Sequence, residues 1–229
     1  MTIADNIREV QHKIAAARER SEFAADSVLL LAVTKTHPVE LIKEAADFGL
    51  KDFGENRVQE MNSKIDFFPD INWHLIGHLQ TNKVRQVIGK TVLIHSLDSI
   101  PLAEEIEKRS AAADIITNCL VQINIAEEET KSGIHEEELK DFLDAMADYQ
   151  HIRIRGLMTI GPHVEAAEEI RPVFAELRKL FIREKERALP HLDMRFLSMG
   201  MSYDYDIAVE EGANIVRVGS SIFGARTYF

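Results

Sequence analysis

Lys35 lies at the end of the first strongly apolar run of the chain, where an amine could do chemistry. Residues 28–33 are only Val, Leu and Ala, and Pro38 follows Lys35 three residues later. A lysine that is desolvated or placed near other cations can lose its proton and attack an aldehyde at neutral pH. Taken alone, Lys35 is more simply a solvated side chain in a turn between a strand and a helix, because most lysines are exposed. The rest of the sequence reverses that preference.

Two segments near the C-terminus have the composition of a phosphate site. Ser198 and Gly200 belong to the first segment, residues 197–202, and Gly219 and Ser220 belong to the second, residues 217–221. Glycines let backbone N–H groups approach an anion closely, serine hydroxyls donate to it, and the N-terminus of a short helix adds partial positive charge. The alternative is that both glycines serve turn geometry only.

Arg217 is a charged residue inside a predicted strand. Strand alternation places it on the same face as Ile215 and Gly219, with Val216 and Val218 on the other face. A guanidinium between two covered faces needs a partner. A structural ion pair with a core carboxylate and a contact with a ligand would both satisfy it, and the neighbouring phosphate-type segments favour the ligand.

Hydrophobic periodicity predicts the elements that must position these residues. Apolar residues recur at helical spacing near the N-terminus and indicate an amphipathic opening helix: Ile3, Ile7, Val10 and Ile14. Eight short β-rich runs follow, near 28–35, 52–54, 72–77, 92–97, 118–125, 152–160, 194–198 and 214–219. Helical patterns lie between them, the seventh with Ser202 as its expected N-cap and Gly212 at its end.

This alternation predicts an α/β fold, a parallel (β/α)8 TIM barrel with an extra N-terminal helix, as one domain over residues 1–229. A doubly wound α/β sheet is the alternative. In such a barrel, chemistry belongs at the carboxyl ends of the strands, and a phosphate site is often built from the loops after strands seven and eight. Lys35 and the two glycine-containing segments all fall at those ends.

Composition limits the partners and the compartment. The formal net charge is −11, with 38 acidic against 27 basic residues, which disfavours nucleic acid and anionic membrane surfaces. No stretch approaches the roughly 18 apolar residues that a bilayer crossing needs. Cys119, the single cysteine, lies in an apolar run and is expected to be a buried structural thiol of a reducing compartment. We expect a cytoplasmic protein that is a monomer or a weak dimer.

Several motifs resemble the pyridoxal phosphate homeostasis proteins over nearly the whole chain. They occur at residues 33–37 (VTKTH), 53–60 (FGENRVQE), 73–83 (WHLIGHLQTNK), 197–202 (LSMGMS), 216–220 (VRVGS) and 223–226 (FGAR). That family consists of single-domain barrels similar to the N-terminal domain of alanine racemase. The resemblance implies that Lys35 carries pyridoxal 5'-phosphate (PLP) as a Schiff base and that Arg217 faces the pyridine nitrogen. It further implies that the phosphate of PLP is contacted by Ser198, Gly200, Gly219 and Ser220. The expected neighbours of the PLP ring are Asn56 and Met158.

The implied function is PLP homeostasis, in which the protein holds the cofactor and supplies it to PLP-dependent apoenzymes without robust catalysis. The alternative is a PLP-dependent amino acid racemase of low activity. The chain ends at Phe229, whereas alanine racemases add a second domain that supplies a catalytic tyrosine. Tyr203 and Tyr205, after strand seven, are expected to be surface aromatics rather than catalytic groups.

Other constellations are weaker. His74 and His78 have no third ligand at fixed spacing, so a zinc site is not predicted from them. The segment with Lys131 resembles a family segment near the barrel mouth, and His78 and Asn82 are expected to approach the site from the loop after strand three.

Overall fold

The computed structural model describes residues 2–126 and 132–224, and it begins with a capped helix. Helix α1, Ile3–Arg20, follows Thr2, whose hydroxyl accepts from the backbone N–H of Asp5 while the Asp5 carboxylate accepts from the Thr2 N–H. This reciprocal pair satisfies two backbone donors that a helix start leaves open. The four apolar residues that predicted the helix are buried on one face, which confirms the prediction.

Eight parallel strands close into a barrel in chain order, with β8 pairing back to β1. The strands are β1 Leu29–Val33, β2 Asp52–Glu55, β3 Asn72–Leu75, β4 Leu93–Leu97, β5 Thr117–Gln122, β6 Ile152–Met158, β7 Leu192–Met201 and β8 Ile215–Val218. Each predicted β-rich run overlaps one of them. The (β/α)8 barrel is therefore confirmed, and the doubly wound alternative is wrong because an open sheet has no β1–β8 pairing.

Helices follow the strands around the barrel. They are α2 Val39–Asp47, α3 Val58–Lys64, α4 Ile100–Ala113, α5 Leu139–Ala145, α6 Arg171–Glu186, α7 Tyr205–Glu210 and α8 Ser220–Phe223. Short 3₁₀ helices accompany them at Ile65–Phe67, Thr81–Gln86, Glu136–Glu138, Met146–Asp148 and Ala167–Ile170. The connection from β3 to β4 is the 3₁₀ helix Thr81–Gln86. Within the described ranges, no helix has the length and apolar character needed to cross a bilayer.

Several strands end earlier than their apolar runs suggest. Strand β3 stops at Leu75 and β6 at Met158, although the predicted runs continue to residues 77 and 160. Ile76, Gly77 and Ile160 instead line the cavity at the barrel mouth. Their apolar character comes from this partial enclosure and does not require a strand partner.

Strand β7 is longer than predicted, and it contains a bulge near its end. Ser198 pairs with Ile215 and Met201 with Arg217, so β7 has one more residue than β8 over this stretch. Gly200 lies in the bulge with φ of +88°, and a Cβ there would stand 2.5 Å from the Cβ of Ala208. Only glycine allows both this backbone conformation and the close approach of α7.

The core has two layers. Inside the barrel, a small apolar cluster joins side chains of six strands or their ends: Leu31, Val33, Ile76, Leu93, Leu120, Met158 and Ile215. A larger cluster, which includes Val216 and Val218, packs the outer face of the strands against the helices. The predicted alternation along β8 is confirmed. Cys119 is fully buried, and burial raises its thiol pKa to about 12, so it is the expected structural thiol.

The shortest contact of an added Cβ at any of the glycines generates a stability prediction. At Gly156 in β6, φ is +147° and a Cβ would lie 1.8 Å from the carbonyl oxygen of Phe196 in β7. We expect Gly156→Ala to lower the free energy of unfolding by about 3 kcal/mol or more, because the strands must separate.

Gly49→Ala is the matched control, since Gly49 has φ of +116° but nothing within 4 Å of the added Cβ. Backbone strain alone should cost about 1–2 kcal/mol there. Chemical denaturation measures both variants, and equal losses would contradict the steric explanation.

Candidate functional site

A cavity of about 510 Å³ opens at the carboxyl ends of the strands. Five of the eight residues predicted as cofactor contacts line it: Lys35, Asn56, Arg217, Gly219 and Ser220. They follow or end strands β1, β2 and β8. Strand β8 is about 160 residues away from β2 along the chain. Barrel closure brings them together, because all parallel strands end at one rim.

The other three predicted contacts lie outside the cavity lining. Met158 is buried in the apolar cluster inside the barrel. Ser198 is also buried and is hydrogen-bonded to Arg217, while Gly200 lies in the β7 bulge against α7. Their proposed contacts with a cofactor remain predictions.

Ser202 has a different role from the one its position suggested. It was expected to cap α7, but that helix begins at Tyr205 after Asp204, whose carboxylate accepts from the Met201 N–H in a preceding turn. The Ser202 Oγ instead accepts from the backbone N–H groups of Gly219, at 3.1 Å, and Ser221, at 3.4 Å. The hydroxyl therefore joins the loops after β7 and β8 and lines the cavity beside Gly219. Gly212 does follow the end of α7, with φ of +93°.

Arg217 is the buried cation of the cavity. Its Nη1 donates to Ser198 Oγ at 2.7 Å and its Nη2 donates to the carbonyl oxygen of Thr159 at 2.7 Å. Burial lowers the pKa of Arg217 to about 10, and the Asp204 carboxylate acts in the opposite direction. Arg217 therefore carries its charge at neutral pH and is held by neutral acceptors.

Behind Arg217, a chain of buried polar groups continues through the barrel. Ser198 Oγ lies 3.0 Å from His95 Nδ1, His95 Nε2 lies 3.0 Å from His74 Nδ1, and His74 Nε2 lies 3.1 Å from Asp52 Oδ1. We call these four residues and Arg217 the interior chain. It connects the barrel mouth with the first residue of β2 at the opposite end.

The direction of the donors in the interior chain follows from its two ends. Arg217 only donates, so Ser198 Oγ accepts from it and directs its own proton to His95 Nδ1. Burial, together with the neighbouring His74 imidazole and the positive charge of Arg217, lowers the pKa of His95 well below its usual 6.5. A neutral His95 that accepts at Nδ1 donates from Nε2 to His74, which then donates to the Asp52 carboxylate.

Sequence reasoning did not single out His95. The available signal was a histidine and a serine inside the apolar strand Leu93–Leu97. That pattern indicates a polar residue that faces the interior. The partners of His95, which are His74 on β3 and Ser198 on β7, depend on how the barrel packs.

The remaining predicted neighbours are distributed unevenly. His78 lines the mouth, and its Nδ1 lies 3.3 Å from Asp98 Oδ2, whereas Asn82 is exposed and does not line the cavity. Lys131 lies outside the described residues.

Tyr203 is 60% exposed as expected, but Tyr205 is buried, so its description as a surface aromatic is wrong: α7 turns it toward the core. In residues 2–126 and 132–224, no cluster of three or more His, Cys, Asp or Glu could hold a metal ion.

Comparison with known proteins identifies the family. The alanine racemase N-terminal domain family matches residues 6–227. A pyridoxal phosphate homeostasis protein of Aquifex aeolicus is 44% identical, covering 100% of both chains, and one of Escherichia coli is 40% identical, covering 99% of this chain and 97% of its own. The chain belongs to the pyridoxal phosphate homeostasis protein family.

Solved structures agree with this family. PipY of Synechococcus elongatus, in a structure with PLP bound, has a TM-score of 0.82 and 36% identity and covers 97% of this chain and 100% of its own. An alanine racemase of Clostridium difficile has a TM-score of 0.73 at 15% identity, with 98% of this chain and 60% of that chain covered. This second likeness concerns the fold alone, which the homeostasis family shares with the racemase.

The buried imidazole of His95 predicts a pH dependence of stability. Its pKa is lower in the folded protein than the ordinary 6.5, so below pH 6.5 the unfolded chain binds a proton that the folded protein does not. Its contribution to stability is therefore lost as the pH falls through that region. We expect this group to add a slope approaching about 1.4 kcal/mol per pH unit.

Denaturation midpoints between pH 5 and 7 measure this slope. Compared with the native chain, His95→Gln should flatten the decline at low pH, whereas His12→Gln, on the exposed face of α1, should leave it unchanged. An equal slope in the native chain and His95→Gln would show that His95 takes up its proton in the folded state.

Proposed function

We propose that this chain binds PLP in the mouth cavity, holds it as a Schiff base on Lys35, and supplies it to PLP-dependent apoenzymes. One observation carries this proposal: Lys35, Arg217, Gly219 and Ser220 line the same cavity in a member of the pyridoxal phosphate homeostasis family. The PLP in the PipY structure, a full-length relative, supports the choice of ligand.

The donor set of the cavity fits PLP. A volume of about 510 Å³ is in the range of small-ligand sites. Lys35 supplies an amine, while Ser202 and Ser220 supply hydroxyl groups suited to phosphate beside Gly219, whose N–H donates to Ser202. The apolar side chains of Val33, Ile76 and Ile160, also in the lining, suit a planar ring.

Arg217 favours a carrier over a catalyst. When bound, PLP acts as an electron sink, and it does so most strongly with a protonated ring nitrogen. An arginine can donate a hydrogen bond to that nitrogen but does not give up its proton to it. The interior chain strengthens this assignment, because its donors all point away from Arg217 and supply no proton to it.

A weak amino acid racemase remains the second candidate. Tyr203 is the tyrosine of the cavity lining and is the group that could serve such chemistry. Its hydroxyl donates to the carbonyl oxygen of Glu165 at 2.8 Å, at the exposed edge of the mouth. This engagement favours a structural role for Tyr203.

Reduction with borohydride tests the attachment. Purified protein is mixed with PLP, its visible spectrum is recorded, and peptide mass mapping follows reduction. We expect a reduced adduct on Lys35 that disappears in Lys35→Ala. Lys43→Ala, which removes an exposed lysine of α2, should leave the adduct unchanged. Labelling scattered over surface lysines would contradict the proposal.

Two assays then separate the carrier from the racemase. Transfer of PLP to an apoenzyme faster than its free release supports the carrier. Useful turnover in proton exchange at the α-carbon of alanine or serine supports the racemase.

A further inference from the structure

One buried ion-pair cluster holds the backbone on both sides of Lys35. The Lys64 cluster, as we define it, consists of Lys64, Glu55 and Glu60. Lys64 Nζ lies 2.7 Å from Glu55 Oε1 and 2.7 Å from Glu60 Oε1, and it donates to the carbonyl oxygen of Thr34 at 2.9 Å. On the other side of Lys35, the Thr36 N–H donates to the same Glu60 Oε1.

The cluster joins two loops at the mouth. Glu55 is the last residue of β2, and Glu60 and Lys64 lie one helical turn apart on α3. Thr34 and Thr36 flank Lys35 in the loop between β1 and α2. The loop that carries the amine is therefore attached to the neighbouring β/α unit through Lys64 and Glu60.

The backbone that this cluster holds is an unusual one. Thr36 has φ of +66°, in the left-handed region that β-branched residues seldom adopt. Its hydroxyl donates to the Lys35 carbonyl oxygen at 2.6 Å. Such a conformation persists only where its surroundings fix it. The bond from the Thr36 N–H to Glu60 is one of those restraints.

The composition of the cluster is costly for a purely structural device. The side chain of Lys64 is 7% exposed and that of Glu55 is fully buried. Glu55 Oε2 is buried without a hydrogen-bond partner among the described residues, and burial raises the pKa of Glu55 while Lys64 opposes that rise. Apolar residues of similar size often stabilise such a position as well or better. Ion pairs and hydrogen bonds, however, fix the direction and distance between the cluster and the backbone of Thr34 and Thr36, which apolar packing does not.

We propose that Lys64 and Glu60 are positioning residues, which set the backbone of Lys35 so that its amine enters the mouth cavity in a reactive orientation. This inference rests on the proposed function, because it assigns the purpose of the cluster to the attachment of PLP at Lys35. Lys64 fixes the carbonyl before Lys35, and Glu60 fixes the N–H after it.

The variants separate the hydrogen bond from simple bulk. Glu60→Met keeps most of the side-chain volume but cannot accept from Thr36 or pair with Lys64. Glu60→Gln keeps an acceptor oxygen and serves as the conservative variant. Asp47→Ala removes a partner of the exposed ion pair Lys43–Asp47, which has the same i,i+4 spacing on α2, and is the matched control.

The first measurement uses the protein without PLP. Hydrogen exchange of the Thr36 amide should become at least about tenfold faster in Glu60→Met, which corresponds to about 1.4 kcal/mol. Exchange in Glu60→Gln and Asp47→Ala should stay within about twofold of the native rate. Unchanged Thr36 exchange in Glu60→Met would overturn the inference.

The second measurement uses PLP as the probe and follows the rate of borohydride-trapped adduct at Lys35. We expect at least about a tenfold slower rate in Glu60→Met, with unchanged labelling of surface lysines and near-native rates in the other two variants. Equal rates at Lys35 in Glu60→Met and the native chain overturn the positioning role and leave the proposed function intact. No adduct on Lys35 of the native chain overturns the proposed function itself.

Discussion

The pairing of β8 with β1 is the constraint on which the mouth of this protein depends. Leu31 lies opposite Arg217 and Ala32 opposite Val218, so the two ends of the chain close the barrel. The loop with Lys35 thereby comes beside the loop with Gly219 and Ser220. Without this closure, the Lys35 amine, the Arg217 guanidinium and the segment with Gly219 and Ser220 would not line a common cavity.

Closure also creates an interior that must be filled, and this barrel fills part of it with polar groups. Seven apolar side chains form the inner cluster, while His74, His95, Ser198 and Arg217 are buried in a continuous hydrogen-bonded chain. Each group satisfies its neighbour, which makes the burial of a charged guanidinium tolerable. The Lys64 cluster is a second group of buried charges, beside the loop between β1 and α2, although Glu55 Oε2 has no hydrogen-bond partner among the described residues. Lys35 and Arg217, which both line the cavity, therefore each lie next to buried polar groups.

The buried polar groups beside Lys35 and Arg217 bear on the family relationship. The pyridoxal phosphate homeostasis relatives match the chain over its full length, whereas the alanine racemase likeness is confined to the barrel fold. Under the proposed function, Arg217 would hold the cofactor without protonating its ring nitrogen. An anchored loop at Lys35 would then not have to be reordered at each attachment and release.

The sequence by itself determined the eight β-rich runs, the opening helix, the face of Arg217 and the location of Lys35 at the barrel mouth. These follow from periodicity and from residue chemistry within short stretches, and both are local properties. Motif resemblance also identified the family. The sequence did not determine that Ser198 accepts a hydrogen bond from Arg217, that Ser202 joins two loops, or that Tyr205 is buried. His95 and the Lys64 cluster were missed for the same reason. Their roles come from contacts between strands and helices distant in the chain, and only the tertiary structure fixes which polar groups meet when the barrel closes.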